Sequence, residues 1–253
     1  MMTEVLSAEG VFKSRTDAEK GTTKEILKGV DLSLGKGEMW ALIGPSGGGK
    51  TTLIRLFNRL EEPSAGRILF HGRDIREGNP LDLRRRVMLI QQKAFMFSGT
   101  VLENLQRPFV IGGDKPPAKD DSRIRRVIDL CCLPASLIAE DARSLSAGQQ
   151  QRVHLARGLL CAPEILILDE GTSALDRPTA EKLVANFRSL CREEGMTIFM
   201  VSHDLPLMER AADKGLYLED GRILEEGAAA DFFRKPKSPQ LTRFLAEIPA
   251  EGE

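Results

Sequence analysis

Apolar residues along this chain fall into two textures. Met39-Trp40-Ala41-Leu42-Ile43, Val87-Met88-Leu89-Ile90, Ile165-Leu166-Ile167-Leu168 and Thr197-Ile198-Phe199-Met200-Val201 are short, nearly unbroken apolar runs. Each predicts a buried strand. Val30-Asp31-Leu32-Ser33-Leu34 alternates as a half-buried strand does, and residues 67–70 predict a short strand closed by His71-Gly72. Helical spacing appears between these runs. Leu53, Ile54, Phe57 and Leu60 form one stripe, and Ile124, Val127, Ile128 and Cys131 form another that ends before Pro134. A last amphipathic segment carries Leu241, Phe244, Leu245 and Ile248. Residues 14–23 read as a polar loop and residues 112–121 as an exposed one. Strands alternating with helices give the βαβ rhythm of a parallel sheet, interrupted over residues 93–156 by helical patterns alone.

Candidate chemistry begins where the first buried strand ends. Gly44-Pro45-Ser46-Gly47-Gly48-Gly49-Lys50-Thr51 satisfies GxxxxGK[ST] at every fixed position. Such a loop turns successive backbone N–H groups inward around phosphates. Lys50 can reach the β- and γ-phosphates, and the Thr51 hydroxyl, followed by Thr52, can ligate Mg²⁺. A strand enters the loop and a helix leaves it, with its positive N-terminus aimed at the phosphates. The expected ligand is a nucleoside triphosphate.

Two further segments bear on the same ligand. The strand at residues 165–168 delivers Asp169-Glu170 at its C-terminal end, where open α/β sheets bind ligands. Asp169 suits the carboxylate that holds Mg²⁺, and Glu170 suits a general base for the attacking water. Leu145-Ser146-Ala147-Gly148-Gln149 precedes a strong helix. Ser146 and Gln149 have capping-box spacing, so a plain helix start and an anion site at a helix N-terminus both fit.

Composition narrows the partners. The chain has 253 residues, 42% hydrophobic and 29% charged, with a formal net charge of −1. That balance offers no general attraction to nucleic acid, and Arg84-Arg85-Arg86 reads as a solvated face. No apolar stretch approaches the ~20 residues that span a bilayer, and Met1-Met2-Thr3-Glu4 lacks the pattern of a signal peptide. Cys131, Cys132, Cys161 and Cys191 show no CxxC spacing and read as reduced, mostly core residues. A soluble, cytoplasmic protein is expected.

Taken together, these segments resemble the nucleotide-binding subunit of an ABC transporter over roughly residues 5–245. The family signature LSGGQ is matched by Leu145-Ser146-Ala147-Gly148-Gln149, followed by Gln150-Gln151-Arg152. The Q-loop glutamine is matched by Gln92, the D-loop by Ser173-Ala174-Leu175-Asp176, and the switch histidine by His203. The resemblance implies an α/β P-loop NTPase fold: a RecA-like parallel core with an antiparallel β subdomain (1–92 and 157–230), an inserted helical subdomain (93–156) and a C-terminal helical tail (231–253). It implies an ATPase using ATP and Mg²⁺, with catalytic roles for Glu170, His203, Gln92 and Lys50 and metal contacts from Thr51, Gln92 and Asp169. Nucleotide contacts are implied for Gly44, Pro45, Ser46, Gly47, Gly48, Gly49, Lys50, Thr51 and Thr52. Ser146, Gly148 and Gln149 would contact the ATP held by a second copy in a head-to-tail dimer. The implied partners are that second copy, integral-membrane permease subunits and an extracytoplasmic solute-binding protein, with the chain peripheral on the inner face of the membrane.

The chain departs from the family pattern in places. Ala147 replaces the usual glycine, which limits close approach to phosphate, and Gly171 stands where proline is common. The adenine-stacking aromatic has no clear match: Phe12 and Arg15 are both candidates, since a guanidinium plane can stack on a base. The C-terminal segment resembles importer subunits for polar amino acids and phosphate, whereas Phe97-Ser98-Gly99-Thr100-Val101 resembles exporters. The importer reading is preferred, with the exporter as its alternative. Phe95, Met96 and Phe97 are either a permease-docking patch or core. A soluble ABC-type ATPase of repair or translation, and a non-hydrolysing regulatory module, are the rival classes. His71 and His154 match no motif.

Overall fold

The computed structural model describes residues 3–17 and 21–247. A long antiparallel hairpin comes first, β1 (Glu4–Asp17) and β2 (Thr22–Gly35). Its ladder continues through Arg15↔Lys24, Thr16↔Thr23 and Asp17↔Thr22, so the expected polar loop at 14–23 is mostly strand. Backbone pairing there needs no apolar alternation, because cross-strand hydrogen bonds satisfy the main chain whatever the side chains are. β4 (Ala65–Phe70) joins β1, and the two-residue β5 (Arg73–Asp74) completes the order β2-β1-β4-β5.

The second sheet contains β3 (Met39–Ile43), β6 (Val87–Ile90), β7 (Ile165–Asp169), β8 (Thr197–Val201), β9 (Lys214–Glu219) and β10 (Arg222–Ala228), ordered β10-β9-β3-β8-β7-β6. The pairings from β9 across to β6 are parallel, and β10 closes the edge antiparallel to β9. Both faces of this sheet are covered, which explains why its strands read as continuous apolar runs. Alternation sorts their side chains between two cores. Trp40, Leu42, Ile165, Ile167, Phe199 and Val201 pack with the hairpin and with Leu53 and Phe57. Met39, Ala41, Leu166, Leu168, Ile198 and Met200 pack on the other side, with the helices. The expected α/β class, with separate antiparallel and parallel sheets, is what the chain adopts.

The helices are α1 (Lys50–Phe57), α2 (Pro80–Arg86), α3 (Val101–Gly112), α4 (Ser122–Leu130), α5 (Ala147–Leu159), α6 (Arg177–Glu194), α7 (Leu205–Ala211), α8 (Ala229–Arg234) and α9 (Pro239–Glu247). α1 stops at Phe57, so Leu60 leaves the expected stripe and is 46% exposed. Ile124, Val127 and Ile128 of α4, with Cys131, join the helical side of the core. α5 runs continuously to Leu159, so the expected boundary at 156/157 falls inside one helix. The arginine run forms the last turn of α2, and each member has a partner: Arg84 donates to the Arg59 carbonyl, Arg85 pairs with Asp114 and Arg86 with Glu164. The segment that resembles exporters builds a helix start, in which Thr100 and Glu103 form a capping box for α3. Of the three residues between docking and core, Met96 is buried, Phe97 lies beneath Arg107 and Arg157, and Phe95 is 61% exposed.

α8 and α9 close on β9 through Phe232, Leu241 and Phe244, gathered around Tyr217; Ile248 of that amphipathic pattern lies outside the described residues. Among the described residues no helix is long and apolar enough to cross a membrane. Burial pushes the Cys161 thiol up to about 11 and the Cys191 thiol up to about 12, which keeps both in the unreactive thiol form.

His154 on α5 carries a measurable consequence. Its Nδ1 is buried without a hydrogen-bond partner, and burial, with Arg157 nearby, holds its pKa down to about 4. An unfolded histidine titrates near 6.5, so the unfolded chain binds the extra proton between those values. Stability therefore falls as pH drops from about 6.5 to 4, by about 3 kcal/mol from this group. Thermal melts across that range are expected to show a shallower decline for His154→Asn than for the wild type.

Candidate active site

The loop between β3 and α1 can be formed only by its glycines. Gly44 has φ +147, and a Cβ there would come within 2.0 Å of the Leu218 carbonyl oxygen. Gly49, at φ +105, caps α1, and its Cβ would press on Leu27 and the Ile26 carbonyl at 2.9 and 3.1 Å. Gly44→Ala is expected to lower stability by roughly 2 kcal/mol or more and to abolish nucleotide binding. Melting and ATP titration of that variant check both. α1 has neither a side-chain cap nor an acidic residue in its first turn, which leaves its positive end turned to the loop. Lys50 is buried, and its Nζ donates to the Gly44 and Pro45 carbonyls at 2.6 and 2.9 Å. Burial pulls the Lys50 pKa down, and Glu170 and Asp169 oppose it.

The loop borders a cleft of about 380 Å³ lined by Ser46, Gly47, Gly49, Lys50, Thr51, Thr52, Asp169, Glu170, Val201 and His203. Gly44, Pro45 and Gly48 shape the loop without lining that space. Asp169 ends β7 and lines the cleft together with Thr51. Its pKa is raised, first by burial and then by the neighbouring Glu170 carboxylate.

Glu170 is where three expected residues meet. Gln92 Nε2 donates to one of its carboxylate oxygens at 2.5 Å, and His203 Nε2 lies 3.0 Å from the other. Its backbone has φ 53, unusual for a side-chain-bearing residue. The surroundings over-determine that conformation. Its N–H donates to the Val201 carbonyl at 2.9 Å, and its own carbonyl accepts from the Ser173 amide and hydroxyl. The end of β8 thus holds the Glu170 backbone, and His203, two residues on, holds its side chain.

Ser146, Gly148 and Gln149 do not line this cleft. The Ser146 hydroxyl accepts from the Gln149 N–H, and Gln149 Oε1 accepts from the Ser146 N–H, a complete capping box at the start of α5. A Cβ at Gly148 would lie 3.0 Å from the Ala174 carbonyl, so this helix start packs against the segment after Glu170. Ser146 and Ala147 are exposed.

The same cleft is also lined by Arg15, Lys24 and Ile26. Phe12 is not part of that lining; a Cβ on Gly29 would lie 3.2 Å from its ring. Lys24 and Ile26 had no signal in the sequence, because only the β1–β2 ladder sets Lys24 opposite Arg15.

The sequence profile of the ABC transporter family matches residues 27–173. The methionine import ATP-binding protein MetN of Caulobacter vibrioides is 40% identical over 244 residues, covering 95% of this chain and 72% of that protein. Methionine import ATP-binding protein MetN 1 of Listeria monocytogenes is 35% identical over 89% of this chain and 67% of its own length. A dimeric ATP-binding cassette in a post-hydrolysis state, bound to ADP and Pi, superposes with a TM-score of 0.80 at 26% identity, covering 88% of this chain and 98% of that one. cbiO1 from Clostridium perfringens, part of the ABC transporter complex cbiONQ, gives 0.79 at 27% identity over 96% of this chain and 94% of its own. With a phosphate loop, a paired Asp-Glu strand end and a helical signature segment on one such fold, the chain belongs to the ABC transporter family, as an ATP-binding subunit that hydrolyses ATP.

Proposed function

We propose that the chain is the ATPase of a methionine or related amino-acid importer, working as a head-to-tail dimer beneath a membrane-embedded permease. The observation that carries the catalytic part is the meeting of Gln92, Glu170 and His203 at the end of a cleft bordered by the phosphate loop. Glu170 accepts the proton of the lytic water. Gln92 and His203 hold its carboxylate in place, and Lys50 with the amides of the loop carries the phosphate charge. Arg15 forms the base-side wall.

Thr51, Asp169 and Gln92 offer only oxygen donors to a cation, a set suited to Mg²⁺ together with waters and substrate phosphates. Magnesium bound there supplies charge neutralisation at the β- and γ-phosphates. Ser146, Gly148 and Gln149 lie outside the cleft of their own chain, which fits a role against the nucleotide of a second copy. Phe95 is the exposed apolar residue next to Gln92 and is assigned to the permease contact. Import is favoured by relatives named for methionine import at 35–40% identity, and an extracytoplasmic solute-binding protein completes the proposed assembly on the inner face of the membrane.

Uptake of labelled methionine in cells lacking the chain tests this. Loss of uptake restored by the wild type, but not by Glu170→Gln, supports the reading. Normal methionine uptake alongside loss of another solute's movement would replace the substrate. Co-purification of soluble proteins alone would remove the transporter role.

A further inference from the structure

The part of the cleft lining that the β1–β2 hairpin supplies, Arg15, Lys24 and Ile26, contains no aromatic residue. Arg15 is itself held. Its Nη2 donates to Glu61 Oε1 at 2.6 Å, and Lys13 Nζ and Arg55 Nη1 approach the same carboxylate at 3.6 and 3.7 Å. Glu61 is the more sheltered partner, 19% exposed against 52% for Arg15. Lys13 is fixed in turn by the Glu62 carbonyl at 2.7 Å, and the Glu61 N–H donates to the Arg55 carbonyl. One carboxylate therefore ties the rim of the β1–β2 hairpin to the helix that follows the phosphate loop.

Two magnitudes make this arrangement informative. Exposed ion pairs add little to stability. Glu61 does not itself line the cleft, and at a distance its carboxylate can only repel a triphosphate, so any gain in binding from Glu61 must come through the groups it holds, Arg15 among them. We propose that Glu61 is a positioning residue that holds the Arg15 guanidinium as the stacking surface for the nucleobase. This rests on the assignment of Arg15 to the base. Stacking on a guanidinium plane is indifferent to base identity, so the cleft takes purine triphosphates generally, GTP included.

Calorimetric titration with ATP, GTP and inorganic tripolyphosphate tests this, because tripolyphosphate has no base. Glu61→Gln is expected to weaken ATP binding about fivefold and to leave tripolyphosphate unchanged or tighter, given base-stacking contributions of this order. Neutralising an anion would by itself tighten both ligands, so the expected sign for ATP is opposite to the electrostatic one. ATP binding that is unchanged or tighter overturns the positioning role. So does equal weakening of both ligands, which marks a damaged loop. Arg15→Ala is expected to weaken ATP about tenfold and tripolyphosphate far less, through the loss of one half-exposed cation alone. Unchanged ATP affinity in that variant would instead remove Arg15 from the base, whereas an Arg15 effect without a Glu61 effect sinks the positioning role alone. In the double variant Glu61→Gln should add nothing to Arg15→Ala. Wild-type GTP affinity within about threefold of ATP is expected, and rejection of GTP by more than about 30-fold would overturn base indifference.

Discussion

Glu170→Gln is expected to lower ATP turnover by about 10²–10⁴-fold while ATP still binds. That range is what a positioned general base contributes. The substitution keeps the size and one acceptor oxygen of the side chain, so the left-handed backbone and its bonds to Val201 and Ser173 have no reason to change. What is lost is the oxygen that takes the proton. On the proposed dimer, ATP that binds without being cleaved holds the two copies together. Size exclusion with ATP should therefore show a dimer in the variant and a smaller dimer fraction in the wild type, which consumes its ligand. Phosphate-release kinetics give the turnover. Wild-type turnover in the variant would remove Glu170 as the base and shift attention to His203, 3.0 Å away.

The second large effect belongs to Lys50. Lys50→Ala is expected to weaken ATP binding by about 100-fold, since removing one partner of a desolvated, charge-assisted contact has effects of that order or larger. Its ammonium is buried within reach of the loop carbonyls of Gly44 and Pro45 and feels both Asp169 and Glu170. Truncation removes the point charge and also leaves those two carbonyls without this donor. Melting without nucleotide separates the two consequences. Equal melting temperatures with lost affinity locate the effect in phosphate binding, whereas unchanged ATP affinity would remove Lys50 from the site.

The elements most legible from sequence were those whose environment repeats along the chain. β3, β6 and β8 were predicted with the bounds they have, because a sheet covered on both faces demands an apolar residue at every position. The hairpin beyond residue 14 and β5 were missed, because cross-strand hydrogen bonds between polar residues leave no periodic mark. α2 was hidden beneath its arginine run, whose charges suggested only a solvated face.

The sequence by itself determined the nucleotide chemistry, since a loop of fixed spacing acts through its own backbone and adjacent side chains. Lys50 and Thr51 were candidates for that reason, and Asp169 and Glu170 because they end an apolar strand of the same sheet. Only the tertiary structure decided which distant groups meet. The parallel order β3-β8-β7-β6 brings Gln92, Glu170 and His203 into contact. The hairpin ladder carries Arg15 and Lys24 together into the cleft lining, and the Arg15–Glu61 ion pair joins residues 46 positions apart. Such contacts depend on packing between elements far apart in the chain, and residue spacing along a single segment holds no information about them.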